Sequence, residues 1–408
     1  MHVLWVVAGA SLAAWIALLL FRGGYWRARP LLDSAPVRLG SRRAAWPSVA
    51  AVIPARNEAA VLGDTFPTVL AQDYLGSFHV TLVDDRSEDA TSDVARAAAA
   101  RLGRSDRLSV VRGEPLPAGW AGKVWAMAQG AATAHAVTAD YVWFTDADIA
   151  HDPGILRALV EKAEAERLDL VSLMARLRLD SRWDCLLIPA FVYFFSKLYP
   201  FRFVSNSRRR AAGAAGGCML VRRTTLEQVG GVARIRGALI DDCALGRTLK
   251  QSGGRLWLGF TRSVRSVRVY GTLRSTWDMV ARSAYTQLRT SPLLLVGTVL
   301  GMLFLYAVGP AAVVVGLAGL ALGSPGAPVL ASLGFATWLL LSLSFLPILR
   351  HHGAGWWPAP LLPLAGVLYV AMTVDSAWRH ATGRGGAWKG RVQGEADSSR
   401  PTTHTKTS

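Results

Sequence analysis

One stretch of this sequence, from Pro292 to Val374, contains Arg350 as its only formally charged residue. A helix at the surface of a soluble protein needs a polar face, and an uncharged run of this length leaves little material for one. About 20 consecutive apolar residues are enough for a helix to cross the hydrocarbon core of a bilayer. We therefore interpret residues 292–375 as a membrane region.

The apolar region divides at its glycines and prolines into segments of membrane-spanning length. Gly309-Pro310 falls in the middle of the first segment and predicts one long or broken span, because membrane helices tolerate proline where neighbours satisfy the backbone. The three predicted spans are Leu293–Leu322, Val329–Leu349 and the proline-containing Trp356–Val374.

A further candidate span opens the chain, since no charged residue occurs from Val3 to Phe21. The segment lacks the basic n-region of a secretory signal peptide, so we interpret residues 1–22 as an anchor. Basic residues follow it, and the positive-inside rule then places the next domain in the cytoplasm. These residues are Arg22, Arg27, Arg29, Arg38, Arg42 and Arg43.

The C-terminal end of the chain conflicts with this topology. Three crossings after residue 291 would leave the basic tail outside the cell, against the positive-inside bias. Either one segment is a re-entrant hairpin or the bias fails here. Residues 383–408 are rich in Gly, Ser, Thr and charge without apolar periodicity, which predicts disorder. The basic residues of this end are Arg379, Arg384, Lys389 and Arg391.

The charge of the chain restricts its partners. It has 45 basic and 28 acidic residues, a formal charge of +17, although it is 51% hydrophobic. Such an excess favours an anionic membrane surface, a phosphorylated substrate or nucleic acid. The sequence has no helix-turn-helix, zinc-finger spacing or RNP-like motif, so we expect no nucleic-acid partner.

Between residues 46 and 271, short β-rich runs alternate with helical stretches, a pattern typical of βαβ units and a mostly parallel sheet. We therefore predict a Rossmann-like α/β domain. Its predicted strands are Val49–Pro54, His79–Asp84, Leu108–Arg112, Tyr141–Thr145 and Leu170–Leu173. Its predicted helices are Ala59–Gln72, Thr91–Arg101, Val124–Ala134 and Pro153–Ala165.

Carboxylates recur where these strands end, which is the edge where open α/β sheets bind ligands. Asp84 and Asp85 are adjacent, and two such carboxylates repel unless a cation or a hydrogen-bond donor lies between them. Asp146 and Asp148 follow the fourth strand and offer hard oxygen ligands to Mg²⁺ or Mn²⁺. Acidic residues at strand ends also cap helices, and this alternative stays open.

Five motifs, in this order and spacing, resemble the family 2 glycosyltransferases, which have the GT-A fold. Any one of them is weak evidence, whereas the series over about 200 residues is specific. With its flanking apolar segments, the chain looks most like the hopene-associated glycosyltransferases encoded with the synthesis of hopanoids, bacterial sterol-like lipids. The motifs are Val52-Ile-Pro-Ala-Arg-Asn-Glu58, Val83-Asp-Asp-Arg-Ser-Glu-Asp-Ala-Thr91, Gly122-Lys123, Thr145-Asp-Ala-Asp148 and Asp241-Asp242-Cys-Ala-Leu245.

The resemblance implies a nucleotide-sugar site at the strand ends, with a UDP-sugar as the expected donor. Asp146 would hold the ribose, and Asp146 and Asp148 would hold a divalent metal, Mg²⁺ or Mn²⁺, on the diphosphate. The residues that the family pattern assigns to the donor are Pro54, Arg56, Glu58, Asp84, Asp85, Lys123 and Asp146.

The same resemblance makes Asp242 the general base, which takes the proton of an acceptor hydroxyl as the bond to C1 forms. Asp241 would cap or orient, and both residues also suit the positive end of a helix dipole. Gly216 and Gly217 would lie beside the donor sugar and the acceptor, although glycines of this kind also mark ordinary turns.

Residues 272–291 carry apolar side chains at helical spacing with arginines between them, which predicts an amphipathic interfacial helix. A helix packed on the domain is the alternative, but the run straight into Pro292 favours the membrane surface. The site would then open toward the bilayer and a lipid acceptor. Arg208-Arg209-Arg210 is either a solvated face or a contact for anionic headgroups.

Together these features predict a multi-pass protein of the cytoplasmic membrane. Its GT-A domain would face the cytoplasm, flanked by one N-terminal and about three C-terminal transmembrane helices. It would be an inverting, metal-dependent enzyme that moves one sugar to a lipid such as a hopanoid. The Gln-x-x-Arg-Trp motif of processive members is absent after Asp242, which argues against polymer synthesis.

Two alternative functions stay open. A polyprenyl-phosphate sugar synthase would keep the fold and change the acceptor. A membrane scaffold or transport component would need charge along a substrate path, and Arg350 is the one charged residue of the apolar region.

Overall fold

The computed structural model describes residues 2–34 and 45–383. Predictions that concern Arg38, Arg42, Arg43 and the tail from Arg384 onward lie outside these ranges. Within them, the α/β domain and the apolar helices share one continuous hydrophobic core, which contains Trp15 as well as Phe260.

An apolar helix opens the chain, and strands and helices then alternate as the sequence predicts. This part consists of α1 (His2–Phe21), β1 (Val49–Ala55), α2 (Ala59–Leu70), β2 (Phe78–Asp84), α3 (Thr91–Arg101), β3 (Leu108–Arg112), α4 (Gly122–Ala131), α5 (Ala134–Thr138), β4 (Tyr141–Phe144), β5 (Ile149–His151), α6 (Ile155–Ala165), β6 (Leu170–Arg176), α7 (Arg182–Leu198), α8 (Phe201–Val204), β7 (Met219–Arg222), α9 (Arg223–Gln228), α10 (Asp241–Gln251) and β8 (Leu256–Ser266).

Helices alone make up the rest of the described chain, apart from short 3₁₀ turns. They are α11 (Leu273–Ala281), α12 (Ala284–Gln287), α13 (Pro292–Tyr306), α14 (Val308–Ala321), α15 (Ala327–His352) and α16 (Leu362–Ala381).

The sheet has eight strands in the order β3-β2-β1-β4-β7-β6-β8-β5. The half formed by β3, β2, β1 and β4 is parallel, as predicted. Strand β7 runs antiparallel to both of its neighbours, β4 and β6, and β5 runs antiparallel to β8. Strands β6 and β8 are parallel, so the second half of the sheet is mixed and the prediction of a mostly parallel sheet holds only in part. The chain leaves β6 and starts β7 at the same end of the sheet, which makes β7 antiparallel.

Burial explains why the central strands were readable from the sequence. All seven residues of β1 are buried, as expected for a strand that is covered on both faces. Strand β8, which was not predicted, is also buried except at Arg262 and Arg265. It carries the chain back to the carboxyl edge of β1 and β4, where the candidate site lies.

Four helical segments are long and apolar enough to cross a membrane. Of these, the segment Arg182–Val204 is 67% buried within the protein, so protein contacts account for its apolar surface. Helices α13 and α14 meet at a 48° bend close to Gly309-Pro310, which confirms the predicted break and fits either a broken span or a re-entrant loop. Placement in a membrane stays a prediction. The segments are His2–Phe21, Arg182–Val204, Ala327–His352 and Ala359–Ala381.

The N-terminal helix packs against the C-terminal ones. The indole of Trp15 donates to the carbonyl of Leu305 at 2.7 Å, and that of Trp5 donates to the carbonyl of Gly326 at 3.0 Å. The Trp15 contact pairs a carbonyl in the last turn of α13, and the carbonyl of Gly326 also accepts from the N–H of Leu330 at 3.3 Å. The first and last apolar segments thus form one bundle.

Residues 272–291 form two short helices, α11 and α12, instead of one. Helix α11 is fastened to α16, because Trp277 Nε1 lies 2.7 Å from Asp375 Oδ2 and Arg379 forms an ion pair with Asp278 at 2.8 Å. This segment links the α/β domain to the apolar helices. Its location at a membrane surface stays a prediction.

Candidate active site

A polar cleft of about 640 Å³ lies at the carboxyl edge of β1 and β4. The loop after β8 and helix α11 form its opposite wall. The cleft brings together six of the predicted site residues: Pro54, Glu58, Lys123, Asp146, Asp148 and Asp241.

Lys123 connects two of the acidic motifs. It lies in the first turn of α4, and its Nζ is 2.8 Å from Asp146 Oδ1 and 3.0 Å from Asp241 Oδ2. Burial alone would lower the pKa of Lys123, but the two carboxylates outweigh it and hold the pKa above its usual range. The lysine is therefore a fixed positive charge in the cleft.

Asp146 is the carboxylate most affected by its surroundings in this cleft. Burial and the charges of Asp148 and Asp241 raise its pKa to about 6, although Lys123 acts in the opposite direction. Excess negative charge therefore accumulates around Lys123, at a place that suits a cation.

Asp148 has its own cationic partner. Its Oδ2 is 2.9 Å from Arg268 Nε, and the same guanidinium reaches Glu58 Oε1 at 3.1 Å through Nη2. The hydroxyl of Ser266 donates to Asp148 Oδ2 at 3.1 Å. One arginine thus bridges the first and fourth predicted motifs.

The residues present fit a divalent metal only in part. The described ranges contain no group of three or more His, Cys, Asp or Glu side chains that could hold a metal ion by themselves. Asp146 and Asp148 each use one oxygen in an ion pair, which leaves one oxygen each. Mg²⁺ is commonly held by one or two carboxylates together with substrate phosphates. The set therefore suits a metal that is completed by a diphosphate.

Asp242 lies in the first turn of α10, next to Asp241. The N–H of Gly216 donates to its Oδ2 at 2.8 Å, and the N–H of Cys243 donates to its Oδ1 at 2.6 Å. Burial and the charge of Asp241 raise the pKa of Asp242 to about 7, despite Lys123 and these two donors. A carboxyl group with a pKa near neutrality is well matched to general base work.

A second cavity of about 730 Å³ opens beside Asp242 and shares Lys123, Asp146 and Asp241 with the polar cleft. Away from these charges it runs between α7, α13 and α16, and its wall is largely apolar. The apolar side chains include Phe191, Phe194, Leu288, Met302, Leu305 and Val370. We call this cavity the apolar pocket.

Four predicted site residues line neither cavity. Arg56 Nη1 donates to the carbonyl of Asp85 at 2.6 Å, so it ties the end of β1 to the end of β2. Asp84 accepts from the N–H of Ser87 at 2.7 Å and so stabilises the turn after β2, whereas the residue before α3 is Ala90. A Cβ at Gly217 would meet Ile149 at 3.2 Å, so this glycine serves local packing.

The sequence predictions missed Arg268, Tyr270 and Arg282, which line the polar cleft. Arg268 follows β8 directly, and recognising the apolar run Leu256–Phe260 as a strand would have drawn attention to it. No sequence motif marks Arg282. It lies between α11 and α12, and only the fold brings this segment to the cleft.

A Rossmann-like sheet that gathers carboxylates and a lysine at its carboxyl edge is the architecture of the GT-A glycosyltransferases, which use nucleotide-sugar donors. The chain belongs to the family described as Glycosyltransferase like family 2, whose model matches residues 47–286. This range covers more than half of the chain and includes all of the cleft residues named above. No curated protein matches the sequence.

Two solved structures are among those similar to this chain. The mannosyltransferase PcManGT from Pyrobaculum calidifontis, in complex with GDP-Man and Mn²⁺, is 19% identical with a TM-score of 0.51, over 93% of this chain and 99% of its own. Glucosyl-3-phosphoglycerate synthase from Mycobacterium tuberculosis, in complex with Mn²⁺, UDP and glucosyl-3-phosphoglycerate, is 19% identical with a TM-score of 0.40, over 63% and 87%. The likeness of fold rests on the first of these structures, and at 19% identity it extends to the fold alone.

Proposed function

We propose that this protein is a membrane-bound, inverting glycosyltransferase that moves a single sugar from a nucleotide-sugar to a lipid. The observation that carries the proposal is the apolar pocket, which starts at Asp242 and Lys123 and continues along α13 and α16. A water-soluble acceptor would gain no binding free energy from an apolar wall, whereas an amphiphile would bury its apolar part against it. A hopanoid is the acceptor that we propose.

The donor would occupy the polar cleft, with a UDP-sugar as the proposed substrate. Lys123 and Arg268 would supply positive charge to a diphosphate in this cleft, and Pro54 and Glu58, which also line it, would contact the nucleoside. Asp146 and Asp148 would hold Mg²⁺ or Mn²⁺, which would stabilise the charge that develops on the departing diphosphate. The Mn²⁺ and GDP-Man bound by PcManGT support this arrangement.

The transfer itself would be a single displacement. The acceptor oxygen attacks C1 of the sugar from the face opposite the diphosphate, so the C1–O bond to the diphosphate breaks as the new C1–O bond forms. A carboxylate oxygen of Asp242 takes the acceptor proton. Lys123 keeps its charge and offsets the negative charge of Asp146, Asp241 and the leaving group.

We also propose that the apolar helices lie in the cytoplasmic membrane, with the catalytic domain on the cytoplasmic side. Arg22 follows α1 directly, which agrees with the positive-inside rule. Helices α11 and α12 would then rest at the membrane surface and bring the apolar pocket to the level of the bilayer.

A lipid phosphate is the second candidate acceptor, and two basic side chains favour it. Arg22 and Lys197 line the apolar pocket. Lys197 Nζ lies 2.6 Å from Tyr306 Oη and 4.5 Å from the centre of the Tyr306 ring, and it forms no ion pair among the described residues. A phosphate oxygen is already ionised at neutral pH, so this reaction would need no general base.

Deletion of the gene in the source organism, followed by comparative lipidomics, tests the proposal. We expect one glycolipid to disappear and to return on complementation with the wild type but not with Asp242→Asn. A product that is cleaved by mild acid would favour the lipid-phosphate acceptor. An unchanged lipid profile would count against any lipid acceptor.

A further inference from the structure

A third cavity, of about 760 Å³, has a strongly basic wall. Seven cationic side chains line it and no carboxylate does. None of the seven forms an ion pair within residues 2–34 and 45–383. The cations are Arg22, Arg208, Arg209, Arg210, Arg247, Lys250 and Arg289.

The contacts that these cations make are with neutral groups. Arg22 Nε donates to the carbonyl of Lys197 at 3.1 Å, and Lys250 Nζ donates to the carbonyl of Val204 at 2.8 Å. The guanidinium of Arg209 lies 4.9 Å above the ring of Phe203. Hydrogen bonds and ring contacts of this kind orient the side chains without compensating their charge. The cavity is therefore complementary to an anion.

The ends of two apolar helices mark the position of this cavity. Arg22 is the residue after the end of α1, and Arg289 lies three residues before the start of α13. The ends of membrane helices are the level of the lipid headgroups. Arg22, Leu198 and Tyr199 also line the apolar pocket, so the two cavities share a wall.

We infer that this basic cavity binds the phosphate of an anionic phospholipid, at a site separate from the donor cleft. Guanidinium groups bind phosphate through paired N–H donors, and seven cations around one cavity provide several such pairs. A bound phospholipid would hold the shared wall against the membrane and keep the apolar pocket open to the bilayer. This binding goes beyond the proposed transfer reaction and does not depend on it, but it rests on the proposed placement of the apolar helices in the membrane.

The test uses the purified full chain in a zwitterionic detergent, titrated with fluorescent phosphatidylglycerol and, separately, fluorescent phosphatidylcholine. The variant replaces Arg208, Arg209 and Arg210 with glutamine. Its matched control replaces Arg101, Arg104 and Arg107 with glutamine, so it removes the same charge. These three arginines lie at the end of α3 and in the segment after it, and they line none of the three cavities.

We expect the wild type to prefer phosphatidylglycerol and the variant to bind it about 100-fold more weakly, since one basic residue at an anionic surface is worth about a fivefold factor. The control should bind like the wild type. Equal affinity for both lipids, or an equal loss in variant and control, would overturn the inference. Binding of inorganic phosphate alone, without an advantage for phosphatidylglycerol, would also contradict it.

Donor affinity measured on the same preparations separates this inference from the proposed function. Loss of phosphatidylglycerol binding with normal nucleotide-sugar binding would locate the effect in the basic cavity. Absence of any sugar transfer, with the lipid preference intact, would refute the proposed reaction and leave the phosphate site standing.

Discussion

The backbone N–H of Gly216 donates to Oδ2 of Asp242 at 2.8 Å, so a loop between α8 and β7 holds the carboxylate of the second residue of α10. A side chain at Gly216 would disturb this arrangement, because its Cβ would lie 3.2 Å from Lys123 Nζ and 3.4 Å from Asp242 Oδ2. The contact explains why the chain has no side chain there.

For Gly216→Ala we expect kcat to fall about tenfold with little change in melting temperature, because a shift of a few tenths of an ångström misplaces the carboxylate and the lysine without opening a cavity. Steady-state kinetics and thermal unfolding measure the two effects. Gly63→Ala is the matched control, since nothing lies within 4 Å of a Cβ at that position. Equal kinetics in both variants would rule out a positioning role for Gly216.

The pH dependence should report the raised pKa of Asp242. Asp242 acts as a base only when it is deprotonated, so kcat/KM should rise with pH through about 7 and then level off. Asp241→Asn removes the neighbouring negative charge that helps to raise this pKa, and should move the rise to lower pH. A profile that does not move would show that another group controls the acid limb.

Arg268→Gln tests the contribution of the guanidinium that bridges Glu58 and Asp148. We expect the donor to bind about tenfold more weakly, because a charge-assisted contact to the diphosphate is lost. Arg265→Gln is the control: it lies on β8, three residues before Arg268, pairs with Asp152 at 2.8 Å and stays outside the cleft. Similar donor affinities for the two variants, measured by calorimetry, would exclude Arg268 from donor binding.

Metal removal should stop turnover without destabilising the donor-free chain. Asp146 and Asp148 alone do not make a complete metal site, so chelation should leave the melting temperature unchanged and abolish the stabilisation that the donor provides. Thermal unfolding with and without EDTA, in the presence and absence of the nucleotide-sugar, measures this. A lower melting temperature for the chelated, donor-free chain would indicate a resident metal instead.

Much of the fold was readable from the sequence, and the rest depended on long-range contacts. Strands β1, β2 and β4 are almost entirely buried runs bounded by turn residues, and β3 is a half-exposed strand at the edge of the sheet that is bounded in the same way, so their positions follow from the pattern alone. The direction of β7 does not, because it is decided by where the long α7 segment returns the chain to the sheet. The composition of helix α7 is typical of a membrane helix, although the rest of the protein covers its apolar surface.

The candidate site shows the same division. The sequence motifs include Lys123, Asp146 and Asp241, and in the structure the lysine Nζ lies 2.8 Å from Asp146 Oδ1 and 3.0 Å from Asp241 Oδ2. Arg268 was missed because its role depends on β8 pairing with β6, which brings a distant residue to Asp148. Asp84 matched a motif but caps its own turn.

The most direct test of the account measures the transfer of a radiolabelled sugar from UDP-sugars and GDP-sugars into the lipid phase. The full chain is reconstituted in vesicles made from the lipids of the source organism. We predict that the wild type labels a lipid with one of these donors. Asp242→Asn should bind the same donor as tightly and transfer about 10³-fold more slowly. Label that stays entirely in water-soluble products, or an Asp242→Asn variant with wild-type turnover, would contradict the account.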